Sequence, residues 1–88
     1  MFRLVLSERF KKNLQEFLKK HPELESVSQE KLTILQKNPR DAQLKTHKLT
    51  GKLKSFLGCS ITHEYRFVFY LQKDSIFLLA VGSHNEVY

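Results

Sequence analysis

The chain has 88 residues, of which 41% are hydrophobic and 27% are charged. This length corresponds to one domain with a modest core, and the composition excludes an intrinsically disordered chain. Fifteen Lys and Arg residues outnumber nine Asp and Glu residues, which gives a net charge of +6. Such a charge on a small body favours a polyanionic ligand or an acidic protein partner, although it can also serve solubility alone.

The single cysteine, Cys59, excludes a disulfide within the chain and is consistent with a reducing compartment. It lies between Gly58 and Ser60 in an apolar strand pattern, so we expect a buried small side chain rather than a nucleophile. The apolar run at residues 76–81 is too short to span a bilayer, and residues 2–6 are too short for a signal peptide. We therefore expect a cytoplasmic protein with no membrane partner.

The first forty residues have the pattern of a strand followed by two helices. Residues 2–6 are apolar and predict a short strand, and Ser7 is a favourable N-cap for a helix that runs to about Lys20. The apolar residues of that helix recur at the spacing of one helical face: Phe10, Leu14, Phe17 and Leu18. Pro22 predicts the start of a second helix and Asn38-Pro39 its end. The short turn between the helices predicts an antiparallel hairpin.

The second half of the chain has the pattern of a small sheet. No periodicity is found from residue 40 to 48, which predicts a loop, and segments rich in aromatic and branched residues predict strands at residues 53–61, 65–71 and 76–81. Lys73-Asp74 predicts a tight antiparallel turn, and the spacing of Ser83 and Glu86 predicts a capping box that opens one final helical turn. The order β-α-α-β-β-β predicts an α+β fold, with the helices on one face of an antiparallel sheet and the other face open to a ligand.

Histidines in the second half are candidate acid–base groups, because free imidazole titrates near neutrality. Cutting RNA without a metal needs a base for the 2′-hydroxyl, an acid for the leaving 5′-oxygen and a cation for the charge on phosphorus. His47 and His84, with Glu64 and Arg66, have the required chemistry, although four histidines in a chain of this size are commonly surface residues. The spacings among the cysteine, His63 and His84 match no zinc pattern, so we expect no metal site, and we expect no cofactor.

Arg66 is the sharpest single signal. Strand alternation places it on the face opposite Tyr65 and Phe67, among apolar residues, where an arginine is costly unless it is paired or directed at a ligand. Two interpretations follow: an ion pair with Glu64 on the same face, or a fork that binds phosphate oxygens in a bidentate manner.

Basic and aromatic residues nearby could contact an RNA chain. The lysines that could form a basic rim along a phosphate backbone are Lys45, Lys48, Lys52 and Lys54. Tyr65 and Tyr88 could stack on bases. The alternatives are a solvated lysine face and, for Tyr65, a place in the core.

Three short motifs in the order described resemble a known family. They are the His-x-Leu-x-Gly motif that begins at His47, the Tyr-Arg-x-x-Phe-Tyr strand that begins at Tyr65, and the Gly-Ser-His segment that begins at Gly82. With the order of strand, two helices and three strands, the chain resembles the RelE/ParE superfamily of bacterial toxins, and it is most similar to the YafQ-like mRNA interferases.

The resemblance implies a RelE-like fold and a type II toxin–antitoxin system. It implies a metal-independent endoribonuclease that cuts mRNA on the ribosome and is neutralised by a partner antitoxin. The basic charge of the chain predicts that this antitoxin is acidic. The residues that match the catalytic positions of the family are His47, Glu64, Arg66, His84 and Tyr88. Those that would contact RNA are Lys45, Lys48, Lys52, Lys54, His63 and Tyr65. Among the catalytic residues, His84 would be the general acid, and Glu64 or His47 the base.

The departures from the YafQ-like pattern affect which residue takes which catalytic role, rather than the class of reaction. Ser60 lies where that branch has another histidine, with His63 three residues on, and Glu64 and Tyr65 replace Asp and Trp. Two alternatives of another class remain: a non-catalytic toxin like the ParE branch, which binds and poisons DNA gyrase, and an inactive relative that only binds an antitoxin and an operator.

Overall fold

A computed structural model of the chain describes residues 1–51 and 55–87. Within these residues, the regular elements in chain order are β1 (Arg3–Leu6), α1 (Glu8–Lys20), α2 (Glu25–Lys37), β2 (His47–Lys48), β3 (Leu57–Ser60), β4 (Tyr65–Gln72), β5 (Ser75–Ser83) and α3 (His84–Val87). Short 3-10 turns at Pro22–Leu24 and Ala42–Leu44 join them. This order confirms the predicted α+β class.

The sheet has the strand order β1-β5-β4-β3-β2. β3, β4 and β5 pair antiparallel, as predicted, and β2 adds to them antiparallel to β3. In contrast, β1 pairs with β5 in parallel, with Leu6 opposite Leu78. β2 lies inside the segment predicted as a loop, because two residues are too few to show a strand periodicity. β3 begins at Leu57 rather than at residue 53, and residues 53 and 54 of the predicted strand lie outside the described residues.

Local side-chain signals fix the helix ends as expected. The Ser7 hydroxyl accepts a hydrogen bond from the Phe10 amide at 3.0 Å, which satisfies a free donor of the first turn of α1. Lys19 and Lys20 lie in the last turn, where positive charge suits the helix dipole. The predicted second helix is present, but Pro22 opens a 3-10 turn and α2 itself begins at Glu25 rather than at Pro22.

The core lies between the helices and one face of the sheet. Phe10 of α1 and Leu35 of α2 are fully buried with Phe67 and Phe69 of β4, and the Phe10 and Phe67 rings lie 6.2 Å apart. Cys59 belongs to this cluster, and burial raises its pKa to about 12, which confirms the predicted buried small side chain.

The second face of the sheet is less open than expected. Val68 is only 3% exposed there, and the rings of Tyr70 and Phe77 stack at 4.7 Å, with Phe56 6.0 Å from Tyr70. The protein's own aromatic side chains therefore cover part of the face that was predicted to be free for a ligand.

Candidate active site

A short structured loop brings His47 to the edge of the sheet. The Asp41 carboxylate accepts from the Gln43 amide at 2.9 Å and caps the 3-10 turn at Ala42–Leu44. Lys45 ends this turn in the left-handed region, with φ of 50°, and the Thr46 hydroxyl donates to the Pro39 carbonyl at 2.6 Å. His47 then enters β2 opposite Gly58.

The His47 ring is oriented by its own loop. Its Nδ1 lies 3.1 Å from the carbonyl oxygen of Lys45, which can only accept a hydrogen bond. The neutral ring that makes this contact carries its proton on Nδ1 and its lone pair on Nε2. This tautomer suits a base that acts through Nε2.

Arg66 lies in the central strand β4, between Ser60 of β3 and Gly82 of β5. It is half-buried, and its Nη2 donates to the carbonyl oxygen of His63 at 3.4 Å. Ion pairs within residues 1–51 and 55–87 join Lys11 to Glu8 and His21 to Glu23, so Glu64 does not form the ion pair with Arg66 that was one of the two interpretations. Glu64 is exposed in the bend before β4.

Arg66 and His47 line one surface cleft of about 410 Å³. The described residues that line it are Lys31, Gln43, Lys45, His47, Ser60, Ile61, Thr62, His63 and Arg66. These include three permanent cations and two histidines, and no Asp or Glu. A concave surface with this charge concentrates anionic ligands.

His84 lies at the same end of the sheet but outside the described lining of this cleft. It is exposed and is the first residue of α3, two residues after Gly82, which pairs with Arg66. The predicted capping box is confirmed: the Ser83 amide donates to Oε1 of Glu86 at 2.8 Å, and the Glu86 amide donates to Oγ of Ser83 at 3.4 Å.

The remaining predicted residues are distributed on both sides of the sheet. Tyr65 lies on the helix side, where its ring is 5.3 Å from Phe17 and 4.8 Å from His21, so it is not part of the cleft. Lys48 is exposed on β2. The predicted residues that lie outside the described part of the chain are Lys52, Lys54 and Tyr88.

Sequence reasoning did not identify Lys31 or Gln43 as site residues. Lys31 lies on α2, and its Nζ donates to the Gln43 carbonyl at 3.2 Å, which joins the helix to the loop before β2. The helical pattern marks Lys31 only as a polar position, and it becomes part of the cleft through tertiary structure. No local signal in the sequence could have found it.

Two features are absent from residues 1–51 and 55–87. No group of three or more His, Cys, Asp or Glu side chains in these residues is arranged to bind a metal ion. No helix in this part of the chain is long and apolar enough to cross a membrane.

Several solved structures have the same architecture. A copper-bound mutant toxin from Helicobacter pylori is 32% identical, with a TM-score of 0.78 and 100% of both chains covered. YafQ from Escherichia coli strain BL21(DE3) is 18% identical, with a TM-score of 0.83, covering 100% of this chain and 99% of that one.

A second E. coli structure, the DinJ–YafQ complex, is 18% identical, with a TM-score of 0.81 and the same coverage. The two E. coli structures show the fold alone. A search of curated proteins gave no significant match. The profile of the bacterial toxin YafQ, from type II toxin–antitoxin systems, matches residues 2–88. The chain therefore belongs to the YafQ family of type II toxins.

Proposed function

We propose that this toxin is a ribosome-dependent endoribonuclease that cuts mRNA without a metal. The observation that carries the proposal is the cleft in which Arg66 and His47 lie among lysines, with no acidic residue in the described lining. Its charge suits a phosphate backbone, and its imidazoles suit proton transfer near neutral pH.

The reaction begins with attack of a 2′-hydroxyl on the adjacent phosphorus. His47 is the base, because its Nδ1 contact with Lys45 favours the tautomer that accepts a proton at Nε2. The alternative base, Glu64, is exposed outside the described lining of the cleft. The base therefore acts from β2, at the edge of the sheet.

Charge on the phosphorane and on the leaving group is met by two further residues. Arg66 stabilises the phosphoryl oxygens, since a guanidinium can donate to two of them at once. His84 protonates the departing 5′-oxygen. The bond from phosphorus to that oxygen breaks, which leaves a 2′,3′-cyclic phosphate on one fragment and a 5′-hydroxyl on the other. Tyr88 orients a nucleobase of the RNA or the phosphate.

The RNA backbone follows the lysines. Lys45 and Lys31 line the cleft, and Lys48 follows His47 on β2. Lys52 and Lys54 lie outside the described residues, and we propose from the sequence that they also contact the RNA. His63 lies in the cleft with Ser60, so the site retains an imidazole near the position where YafQ-like relatives carry another histidine.

The partner that neutralises the toxin is an acidic antitoxin. The related YafQ of E. coli is found in a complex with DinJ, and the net charge of +6 favours an acidic surface on the corresponding partner here. This antitoxin covers the cleft at Arg66. Its association with the toxin weakens as salt is added.

The decisive experiment measures cleavage of mRNA on programmed ribosomes by primer extension. His47→Ala and His84→Ala should each reduce cleavage about 10²- to 10⁴-fold, the usual loss of one acid–base group. The wild-type products should carry 2′,3′-cyclic phosphate and 5′-hydroxyl ends.

Wild-type cleavage by both variants, with unchanged folding, would refute this assignment. Growth arrest with intact mRNA and trapped DNA gyrase would instead identify a ParE-like binding toxin. Growth without arrest would identify an inactive relative.

A further inference from the structure

We propose that Glu86 is a positioning residue: its hydrogen bond with the Ser83 amide fastens α3 to the end of β5. This bond thereby fixes His84 at the end of the sheet where Arg66 pairs with Gly82. The expected effect on catalysis rests on the proposed function. The fastening itself is a property of the free protein and can be measured without RNA.

The first observation is the exposed edge of β5. β1 pairs with β5 only from Ser75 to Leu78, so the amides further along that edge need other acceptors. Side chains meet two of them: Oδ1 of Asn13 accepts from the Val81 amide at 2.9 Å, and Oε1 of Glu86 accepts from the Ser83 amide at 2.8 Å. Glu86 therefore substitutes for a missing strand at the last residue of β5.

The second observation is the close contact of α3 with Gly82. A Cβ atom on Gly82 would lie 3.1 Å from Oε1 and 3.2 Å from Cβ of Glu86, and 3.3 Å from Cγ1 of Val87. α3 thus folds back onto the residue that pairs with Arg66. A glycine permits this approach, whereas an added Cβ would require the Glu86 and Val87 side chains to move by a few tenths of an ångström.

The third observation is the charge around the carboxylate. Lys20 and His21, at the end of α1, line the same cleft as Glu86, together with Asn13 and Glu16. The hydrogen bonds from the Ser83 amide and hydroxyl lower the pKa of Glu86 most, and the charges of Lys20 and His21 lower it further. The carboxylate is therefore ionised and accepts strongly at neutral pH.

These contacts constrain the backbone that carries His84. A helix of four residues is not stable by itself, so the order of α3 depends on what fastens it. His84 lies inside the ring closed by Ser83 and Glu86, which fix the backbone on either side of it. A displacement of about 1 Å in a reacting group can cost on the order of 10²-fold in rate.

The first test is kinetic. Glu86→Ala should lower kcat for mRNA cleavage by about 10²-fold with KM unchanged, because the acid is misplaced while the cleft is intact. Glu86→Gln should retain most of the activity, since its amide oxygen can still accept from Ser83. The matched control is Asn85→Ala, an exposed residue of the same helical turn, which should cleave as wild type. Gly82→Ala should reproduce the Glu86→Ala loss by another route.

The second test uses NMR of the free toxin. The Ser83 amide should shift downfield as Glu86 ionises, with a midpoint below 4.5. In Glu86→Ala this titration should vanish and the His84 ring signals should move, whereas Asn85→Ala should leave both unchanged. A Ser83 amide that does not titrate, or a loss confined to KM, would overturn the proposal. If His84→Ala cleaves normally, the catalytic assignment of His84 fails, and the NMR result still decides whether Glu86 fastens α3.

Discussion

Two surface clefts of similar volume differ in charge. The cleft at Arg66, of about 410 Å³, is lined by three permanent cations and no acid among its described residues. A groove between α1 and α3, of about 450 Å³, is lined by Arg9 and Lys12 together with Glu16 and Glu86, so the formal charges of its described residues balance. The larger cleft is therefore not the better candidate for a polyanion, because electrostatic potential, rather than volume, attracts one.

The polar residues of the two clefts are used differently. In the α1 groove, Asn13 and Glu86 accept from backbone amides of β5 and so complete an exposed sheet edge. In the other cleft, His47 is oriented by its own loop, and Arg66 contacts the carbonyl of His63. One cleft uses its polar groups to support the fold, whereas the other gathers cations and imidazoles at a surface that a ligand can reach.

Among the substitutions that compare the two clefts, the largest effect is expected from removing Arg66, with removal of Arg9 as the matched control. Arg66→Ala should reduce cleavage of ribosome-bound mRNA by about 10²- to 10³-fold, as the loss of a donor to a developing charge usually does. Arg9→Ala, in the balanced groove, should leave the rate within about twofold of wild type, as expected of a surface substitution. Equal losses in both variants would show that net charge alone, and not the site, drives cleavage.

A smaller effect should separate stability from activity. Asn13→Ala leaves the Val81 amide without its acceptor and should lower the free energy of unfolding by about 1–3 kcal/mol. Cleavage well below the melting temperature should be unchanged. Thermal unfolding followed by circular dichroism measures the loss, with Asn13→Asp, which keeps an acceptor, as the control. A variant as stable as wild type would show that this hydrogen bond does not support the β5 edge.

Removing a lysine should change the salt dependence of RNA affinity in one cleft and not in the other. If Lys45 contacts a phosphate, Lys45→Ala should reduce the slope of log affinity for single-stranded RNA against log salt by about 0.7. Lys12→Ala removes the same charge from the other groove and should leave the slope unchanged. Fluorescence anisotropy with a labelled oligonucleotide at several salt concentrations measures both slopes. Identical slopes in the two variants would contradict a localised RNA path.

The smallest effect near neutral pH concerns Cys59. Burial raises its pKa to about 12 from 9.0, so the unfolded state releases the thiol proton first and stability should fall as pH rises above 9. Below that pH the thiol is protonated in both the folded and the unfolded state, so it does not make stability depend on pH. Labelling by a thiol reagent should require unfolding, and Cys59→Ala should cleave mRNA as wild type. Rapid labelling of the native protein would contradict the buried position.

Local patterns in the sequence predicted the features that depend on neighbouring residues. The Ser7 cap and the Ser83–Glu86 box are both formed, because each needs only residues three positions apart. Strand alternation correctly placed Phe67 in the core and Arg66 on the other face. These interactions are within reach of sequence reasoning because backbone geometry alone brings the partners together.

Features that depend on distant residues were not predictable in the same way. Lys31 enters the cleft only because α2 lies beside the loop before β2. Tyr65 could have been a stacking ring or a core residue, and the choice depended on where His21 and Phe17 lie. The partial closure of the second sheet face required Phe77 of β5 to meet Tyr70 of β4. Such meetings depend on the register of the sheet.

The parallel pairing of β1 with β5 also has a consequence for the order of synthesis. Arg3 pairs with Ser75, so β1 leaves the ribosome well before its partner β5, and its edge is covered only when β5 has followed. Arg66 pairs with Ser60 of β3 and with Gly82 of β5, and the second of these pairs forms only when β5 has emerged. A nascent chain therefore lacks the proposed site until β5 has emerged from the ribosome.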